Sequence, residues 1–241
     1  MERYGGTARG GRSIYGFSLG ILMLDTYFPR IPGDIGNALT WDFPVLYKVV
    51  KGASVARVVE DGDPALLTPF INGAQELIVQ GAKAITTSCG FLAVFQREMA
   101  EALSVPIFTS ALLMVPLVYS MLPASCKVGI MTFNSGALTK RHFKGAGIEN
   151  IPMVVCGMEN SEYFARPIRE NLCELDVEGA RADHISAARR MCRENPDVRA
   201  IVLECTNMPP YAEDIRLATR LPVFDITDLT KFMYRSVCKS M

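Results

Sequence analysis

The chain has 241 residues, 49% of them hydrophobic and 21% charged, and 25 basic side chains balance 25 acidic ones. That length carries one large domain or two smaller ones with a sizeable core. The zero net charge argues against a nucleic-acid or acidic-membrane partner, and no apolar run reaches the roughly 18 residues that a spanning helix needs.

The opening residues 1–16, MERYGGTARGGRSIYG, are rich in Gly and Arg and read as a flexible tail. They lack the apolar centre of a secretory signal, which points to the cytosol. Seven cysteines with irregular spacing and no CxxC fit a reducing compartment better than a disulfide frame. Two histidines, His142 and His184, form no ligand cluster with them, so no metal is expected.

Beyond the tail, short apolar runs alternate with longer amphipathic ones. LGILML (19–24), ASVARVV (53–59), GAKAITT (81–87), VPIFT (105–109), KVGIMTF (127–133), IPMVVCG (151–157), VRAIVLE (198–204) and LPVFDI (221–226) read as strands. Several are apolar on both faces, as in parallel sheets covered by helices. DPALLTPFINGAQELIVQG reads as a helix with Asp63 as N-cap, Pro64 at its first position and Gly81 near its end. EGARADHISAARRMCREN (178–195) is an amphipathic helix that stops before Pro196, and a last helix starts near Thr227 or Asp228. The alternation predicts an α/β fold with parallel sheets.

The chain also repeats itself. AITTSC (84–89) and AIVLEC (200–205) match, and each cysteine lies 17 residues before a proline, Pro106 or Pro222. Residues 83–110 align with 199–226 at an offset of 116, and GILML (20–24) resembles GIMTF (129–133) at an offset of 109. Two similar lobes follow, roughly 17–124 and 125–222, with the terminal helix (223–241) crossing back onto the first. The cleft between them is the expected active site.

Ligands of open α/β sheets bind beyond the carboxyl ends of the strands. Cys89 and Cys205 sit at two such ends, each before an expected helix whose N–H groups and dipole favour thiolate. Two sulfurs facing across a cleft suit one reaction well. One thiolate removes a proton from a carbon, and the opposite thiol reprotonates the other face. No cofactor is required, provided N–H and hydroxyl donors stabilise the enolate-like charge.

At these residues the chain resembles the aspartate/glutamate racemase superfamily, over most of residues 17–241. The likeness rests on the two-lobe repeat, on TSCGF around Cys89 and on ECTNMPPYA around Cys205. It implies a cofactor-independent racemase or epimerase, possessing a Cys89/Cys205 acid–base pair and acting on a small amino acid, related carboxylate or hydantoin. Two alternatives from the same group are a maleate-isomerase-like or decarboxylase-like enzyme using one cysteine, and a protein that only binds a small acid. A homodimer is also implied.

Many amino-acid racemases have Cys-Asn-Thr at the first cysteine, where this chain has Cys89-Gly90-Phe91. Ser88 and the backbone of Gly90 are the expected substitutes as substrate contacts. The resemblance also carries Thr206 and Asn207, with Thr132, Asn134 and Ser135 after the opening strand of lobe two. The loop DTYFPRIPGDIGN (25–37) should shape the mouth of the cleft. Its Arg30 can clamp a carboxylate, with Asp34 orienting it. Glu204 either raises the pKa of Cys205 by its charge or points away.

Overall fold

The computed structural model describes Thr7 and residues 10–238. Residues 1–6 and 8–9 of the expected tail, and 239–241 of the expected last helix, lie outside the described residues. Two four-stranded sheets, all parallel, organise the chain into an α/β fold. The first has the order β2 (Val45–Val49), β1 (Leu19–Met23), β3 (Ala84–Thr87), β4 (Ile107–Phe108). The second repeats it with β6 (Met153–Gly157), β5 (Lys127–Thr132), β7 (Val198–Leu203) and β8 (Val223–Phe224).

The repeat extends to register. Leu19 pairs with Ala84 and Ile85 with Ile107 in the first sheet; Val128 pairs with Ala200 and Ile201 with Val223 in the second. These partners are related by the same offsets of 109 and 116 that the sequence shows. β1 and β3 are buried along their whole length, as central strands covered on both faces must be.

Eight helices cover the sheets among the described residues. α1 (Leu67–Gln80) follows a short turn capped by Asp63, buries Phe70, Gly73, Ala74 and Leu77 on one face, and stops at Gly81 with φ 115°. α2 (Gln96–Ala102) and α3 (Val115–Ser120) complete the first half. α4 (Lys140–Ala146), α5 (Ala165–Arg169), α6 (Val177–Glu194) and α7 (Ala212–Thr219) belong to the second. Asp176 caps α6 through the N–H of Gly179 (2.9 Å). α8 (Ile226–Val237) begins slightly earlier than expected. Asp225 accepts from Thr227 N–H (2.6 Å), and Asp228 returns a bond to its N–H (3.2 Å). α8 packs on β3 and on the Ala111–Met114 turn of the first half. No helix among the described residues is long and apolar enough to cross a membrane.

One strand expectation is corrected. Residues 53–59 do not join the sheet; Ala56–Glu60 form a π-helical turn, and the strand beside β1 is Val45–Val49. Arg57 fastens the turn, reaching Asp63 through Nε (3.0 Å) and Nη2 (2.6 Å) and the Gly52 carbonyl through Nη1 (2.8 Å). With the turn formed, Val55 and Val59 share one side, four residues apart, and both face the cavity described below.

The halves meet closely where α4 lies against the Gly90–Phe95 turn. Gly145 of α4 makes this possible, since a Cβ there would overlap the Ala93 carbonyl oxygen. Gly145→Ala should therefore cost about 1–3 kcal/mol of stability, read as a lower urea midpoint; an unchanged midpoint would mean that the two segments part freely.

Candidate active site

The two cysteines are placed by the same backbone bond. Ser88 N–H donates to the Leu22 carbonyl (2.8 Å), and Glu204 N–H donates to that of Met131 (2.8 Å). Each bond ties the residue after a central strand to its neighbour, so Cys89 and Cys205 leave their sheets at equivalent points. Both line one narrow pocket between the lobes. Thr206 draws the lobes together there, its hydroxyl donating to the Ser88 carbonyl (2.6 Å).

The equivalence fails at one side chain. In the first lobe, Ser88 Oγ accepts from Leu24 N–H (2.9 Å). In the second, the Glu204 carboxyl takes that place, bonded by Phe133 N–H and by the Thr132 hydroxyl to Oε2 (2.7 Å). The other oxygen, Oε1, is buried without a hydrogen-bond partner. It sits against Gly90, where a Cβ would overlap both Oε1 and the Glu204 carbonyl oxygen. Glu204 thus occupies the room that a side chain after Cys89 would need, which is why Gly90 stands there.

A polar chain closes the mouth. Arg30 Nη1 pairs with Asp34 Oδ1 (2.9 Å), Nη2 donates to Thr26 Oγ1 (3.1 Å), and the guanidinium lies 4.6 Å above the Phe28 ring. Asp34, only 2% exposed, also accepts from Asn207 Nδ2 (2.6 Å), and Asn207 Oδ1 faces the Cys205 thiol (3.6 Å). The loop of lobe one is therefore linked to the strand end of lobe two. Asn171 of the second half holds the same loop by accepting from Tyr27 N–H (2.7 Å) and Phe28 N–H (3.3 Å).

Burial governs the electrostatics. It pushes the Cys89 thiol up to about 12, with the charge of Glu204 adding and Phe91 N–H and Arg30 opposing. Cys205 is also driven well above its ordinary range, by burial first and then by Glu204, against the pull of Asn207 N–H. The expectation that helix ends would favour thiolate is thus corrected for the empty site. The N–H groups are present, but Cys89 opens only a six-residue 3-10 turn and α7 starts seven residues after Cys205, so little dipole opposes the desolvation. Burial likewise raises Glu204 to about 7.

Arg30, Ser88, Cys89, Gly90, Cys205, Thr206 and Asn207 all meet at this pocket. Thr132, Asn134 and Ser135 do not line it. Thr132 holds Glu204, Asn134 Oδ1 accepts from Ala137 N–H (3.2 Å), and Ser135 Oγ donates to Glu159 (2.6 Å). Sequence reasoning missed the apolar wall formed by Leu24, Phe28, Val55, Val59, Phe133 and Ile168. The i, i+4 spacing of Val55 and Val59 was a usable signal. His142 caps α4 with Thr139 and meets the Phe91 ring edge-on, while His184 is buried against Tyr211 and Phe164.

A two-lobed α/β protein with a cysteine at the equivalent strand end of each lobe defines a structural class. Residues 45–230 match the family model Asp/Glu/Hydantoin racemase, and the chain belongs to that family. It is 30% identical over 226 residues to a dimethylsulfoniopropionate lyase from Durusdinium sp. clade D, covering 90% of this chain and 74% of that protein. It is also 30% identical over 227 residues to dimethylsulfoniopropionate lyase 7 of Emiliania huxleyi strain CCMP1516, covering 90% of this chain but just 66% of that longer protein. Among solved structures, Picrophilus torridus aspartate racemase shares the fold with a TM-score of 0.58 at 15% identity, covering 93% of this chain and 96% of that one.

Two outcomes follow from the electrostatics. Iodoacetamide at pH 7.5 should label exposed Cys173 at least about a hundredfold faster than Cys89 or Cys205, as followed by peptide mass spectrometry; equal rates would contradict protonated, enclosed thiols. Glu204 holds its proton more tightly folded than unfolded. Its contribution thus favours folding below the ordinary carboxyl range and is lost as pH rises through about 7. Glu204→Gln should gain on wild type by about 3 kcal/mol between pH 4.5 and pH 8, measured by denaturant unfolding; a pH-independent difference would contradict the buried, titrating carboxyl.

Proposed function

We propose that this protein is a lyase that cleaves dimethylsulfoniopropionate, or a close β-sulfonio carboxylate, to dimethyl sulfide and acrylate. The observation that carries the reading is a closed pocket with two thiols and Arg30, in a chain 30% identical to a lyase named for that substrate.

Arg30 binds the carboxylate through N–H groups not used by Asp34 and Thr26. Cys89 acts as the base, because the Arg30 charge favours its thiolate while the Cys205 S–H is committed to Asn207. The thiolate takes a proton from the carbon α to the carboxylate. The C–H electron pair becomes the C=C bond, the bond from the β-carbon to sulfur breaks, and its pair leaves on neutral dimethyl sulfide. The proton then passes from Cys89 to solvent. Cys205 remains a thiol bonded to Asn207, and the Arg30 N–H groups stabilise the carboxylate oxygen that gains charge. A cationic substrate offsets the charge of the thiolate, so deprotonation becomes favourable when the pocket is filled. No cofactor enters this scheme.

Racemisation remains the second reading, because both members of the cysteine pair face the one pocket. Incubation with dimethylsulfoniopropionate in D2O separates the two. Elimination should release dimethyl sulfide and acrylate, and Cys89→Ser or Cys205→Ser should each slow it by about a hundredfold or more. No sulfide release, but deuterium incorporation and loss of optical purity in a chiral amino acid or hydantoin, would move the assignment to racemase. Alkene isomerisation or CO2 release from a dicarboxylate would move it to the maleate-isomerase or decarboxylase chemistry. Binding of a small acid with no turnover would leave a non-catalytic protein.

A further inference from the structure

Glu204 has no part in the elimination itself, yet it is one of the residues around the pocket, its carboxyl buried against Gly90 at the pocket's edge. Its setting is unlike that of the other charges there. Arg30 is already paired with Asp34, and Asp34 is also bonded by Asn207, so these two charges offset one another. Glu204 has no cationic partner among its contacts. Thr132 fixes Oε2 and Phe133 N–H lies against the carboxyl, while Oε1 is buried without a hydrogen-bond partner beside Gly90. In the first lobe the equivalent Ser88 makes the corresponding backbone bond without any charge. A carboxylate is therefore not needed to finish the strand end, and a buried free oxygen is costly unless something pairs with it.

The surroundings of that oxygen fit a particular partner. Phe91 and Phe133, with Val55 and Val59, give the pocket aromatic and apolar walls. A methylated onium ion carries positive charge on a surface with no N–H donor. It is attracted to ring faces and to an anion, and needs no acceptor geometry. With Arg30 for a carboxylate and Glu204 for a cation, the pocket matches a short zwitterion. A dicarboxylate would bring its second negative charge into the same enclosure as Glu204, at a cost.

We propose that Glu204 selects the charge of the substrate, its free oxygen serving as counter-ion to an onium group on the β-carbon of a small carboxylate. The proposal rests on the reading of this pocket as the carboxylate site, and not on the elimination step. Groups facing Glu204 leave the sign clear. Burial raises both thiols, and a cation that enters favours the Cys89 thiolate and the Glu204 carboxylate alike, so both act in the same direction as pH rises. Preference for a cation should therefore grow as pH rises through about 7, where Glu204 loses its proton.

The test uses two probes of the same shape: 3-(trimethylammonio)propanoate and 4,4-dimethylpentanoate, its isostere with a neutral carbon in place of the cationic nitrogen. Dissociation constants are measured by calorimetry on the full chain. Wild type at pH 8.5 should bind the ammonio compound at least about tenfold more tightly, with the preference falling severalfold at pH 6. In a Cys89→Ala background, which removes the second group that a cation could ionise, Glu204→Gln should bind both probes equally at either pH. A preference that survives in that double variant, or a wild type that does not distinguish the probes, would overturn the proposal. If the variant misfolds, the pH series on Cys89→Ala decides the matter: a preference that still grows through about pH 7 upholds Glu204, and one that no longer does overturns it. Failure of both probes to bind wild type would sink the carboxylate-site reading along with it. An intact, Glu204-dependent preference without dimethyl sulfide release would uphold Glu204 and remove only the lyase assignment.

Discussion

The lobes touch where the Glu204 carboxyl meets the backbone of Gly90, and much of the site depends on that contact. A side chain after Cys89 would overlap the carboxyl oxygen and the Glu204 carbonyl oxygen. Gly90 removes the obstacle, Thr206 ties the approach with its bond to Ser88, and α4 reaches over the Gly90–Phe95 turn because Gly145 also lacks a Cβ. Three small-scale fits thus seal the two strand ends against each other. Once they are sealed, desolvation dominates the two thiols and the Glu204 carboxyl. The thiols are held neutral and Glu204 is brought into the neutral range.

That closure changes what the cysteines need from a substrate. In an open cleft, N–H groups at the start of a turn would go far toward making a thiolate. Here Phe91 N–H and Asn207 N–H reach the sulfurs and are outweighed by burial. The missing stabilisation has to arrive with the ligand. Under the proposed reading such a site becomes basic only when a positive charge enters, which protects two buried thiols from adventitious chemistry. The mouth loop serves the same end. Arg30, Asp34 and Asn207 form a chain from the loop of one lobe to the cysteine strand end of the other, and Asn171 grips the loop backbone independently.

The fold was legible because its signals are periodic and duplicated. Offsets of 109 and 116 residues in the sequence reappear as paired registers, Leu19 with Ala84 and Val128 with Ala200. The positions of Cys89 and Cys205 followed from that duplication, and Arg30 from its place after the first strand. The strand read at 53–59 failed for an equally physical reason. Its β-branched residues satisfy a strand pattern locally, but the Arg57–Asp63 pair and the bond to Gly52 fix a turn, and side-chain ties of this kind, five and six residues apart, are invisible to hydrophobic periodicity. From their place after β5, Thr132, Asn134 and Ser135 suit either ligand contacts or caps of the following segment. Hydroxyl and amide groups at a strand end also satisfy nearby backbone and carboxyl groups, and in this lobe they do.

Glu204 could not have been assigned from sequence, since a residue before a strand-end cysteine can face either side. Its importance comes from the comparison with Ser88. Two equivalent thiols suit a reaction whose forward and reverse directions mirror each other, because each cysteine then plays the other's part. An elimination has no such mirror: the substrate carries its anion at one end and its leaving group at the other. A pocket for it needs one feature that breaks the symmetry of the duplicated frame. Among the residues that close the two strand ends here, the pair Ser88 and Glu204 is where a charge appears on one side alone. Under the proposed reading, a carboxylate at that single position is enough to orient a zwitterion across the axis, with the α-carbon toward Cys89 and the cationic leaving group toward Glu204, while the rest of the two-lobed scaffold stays as the family has it.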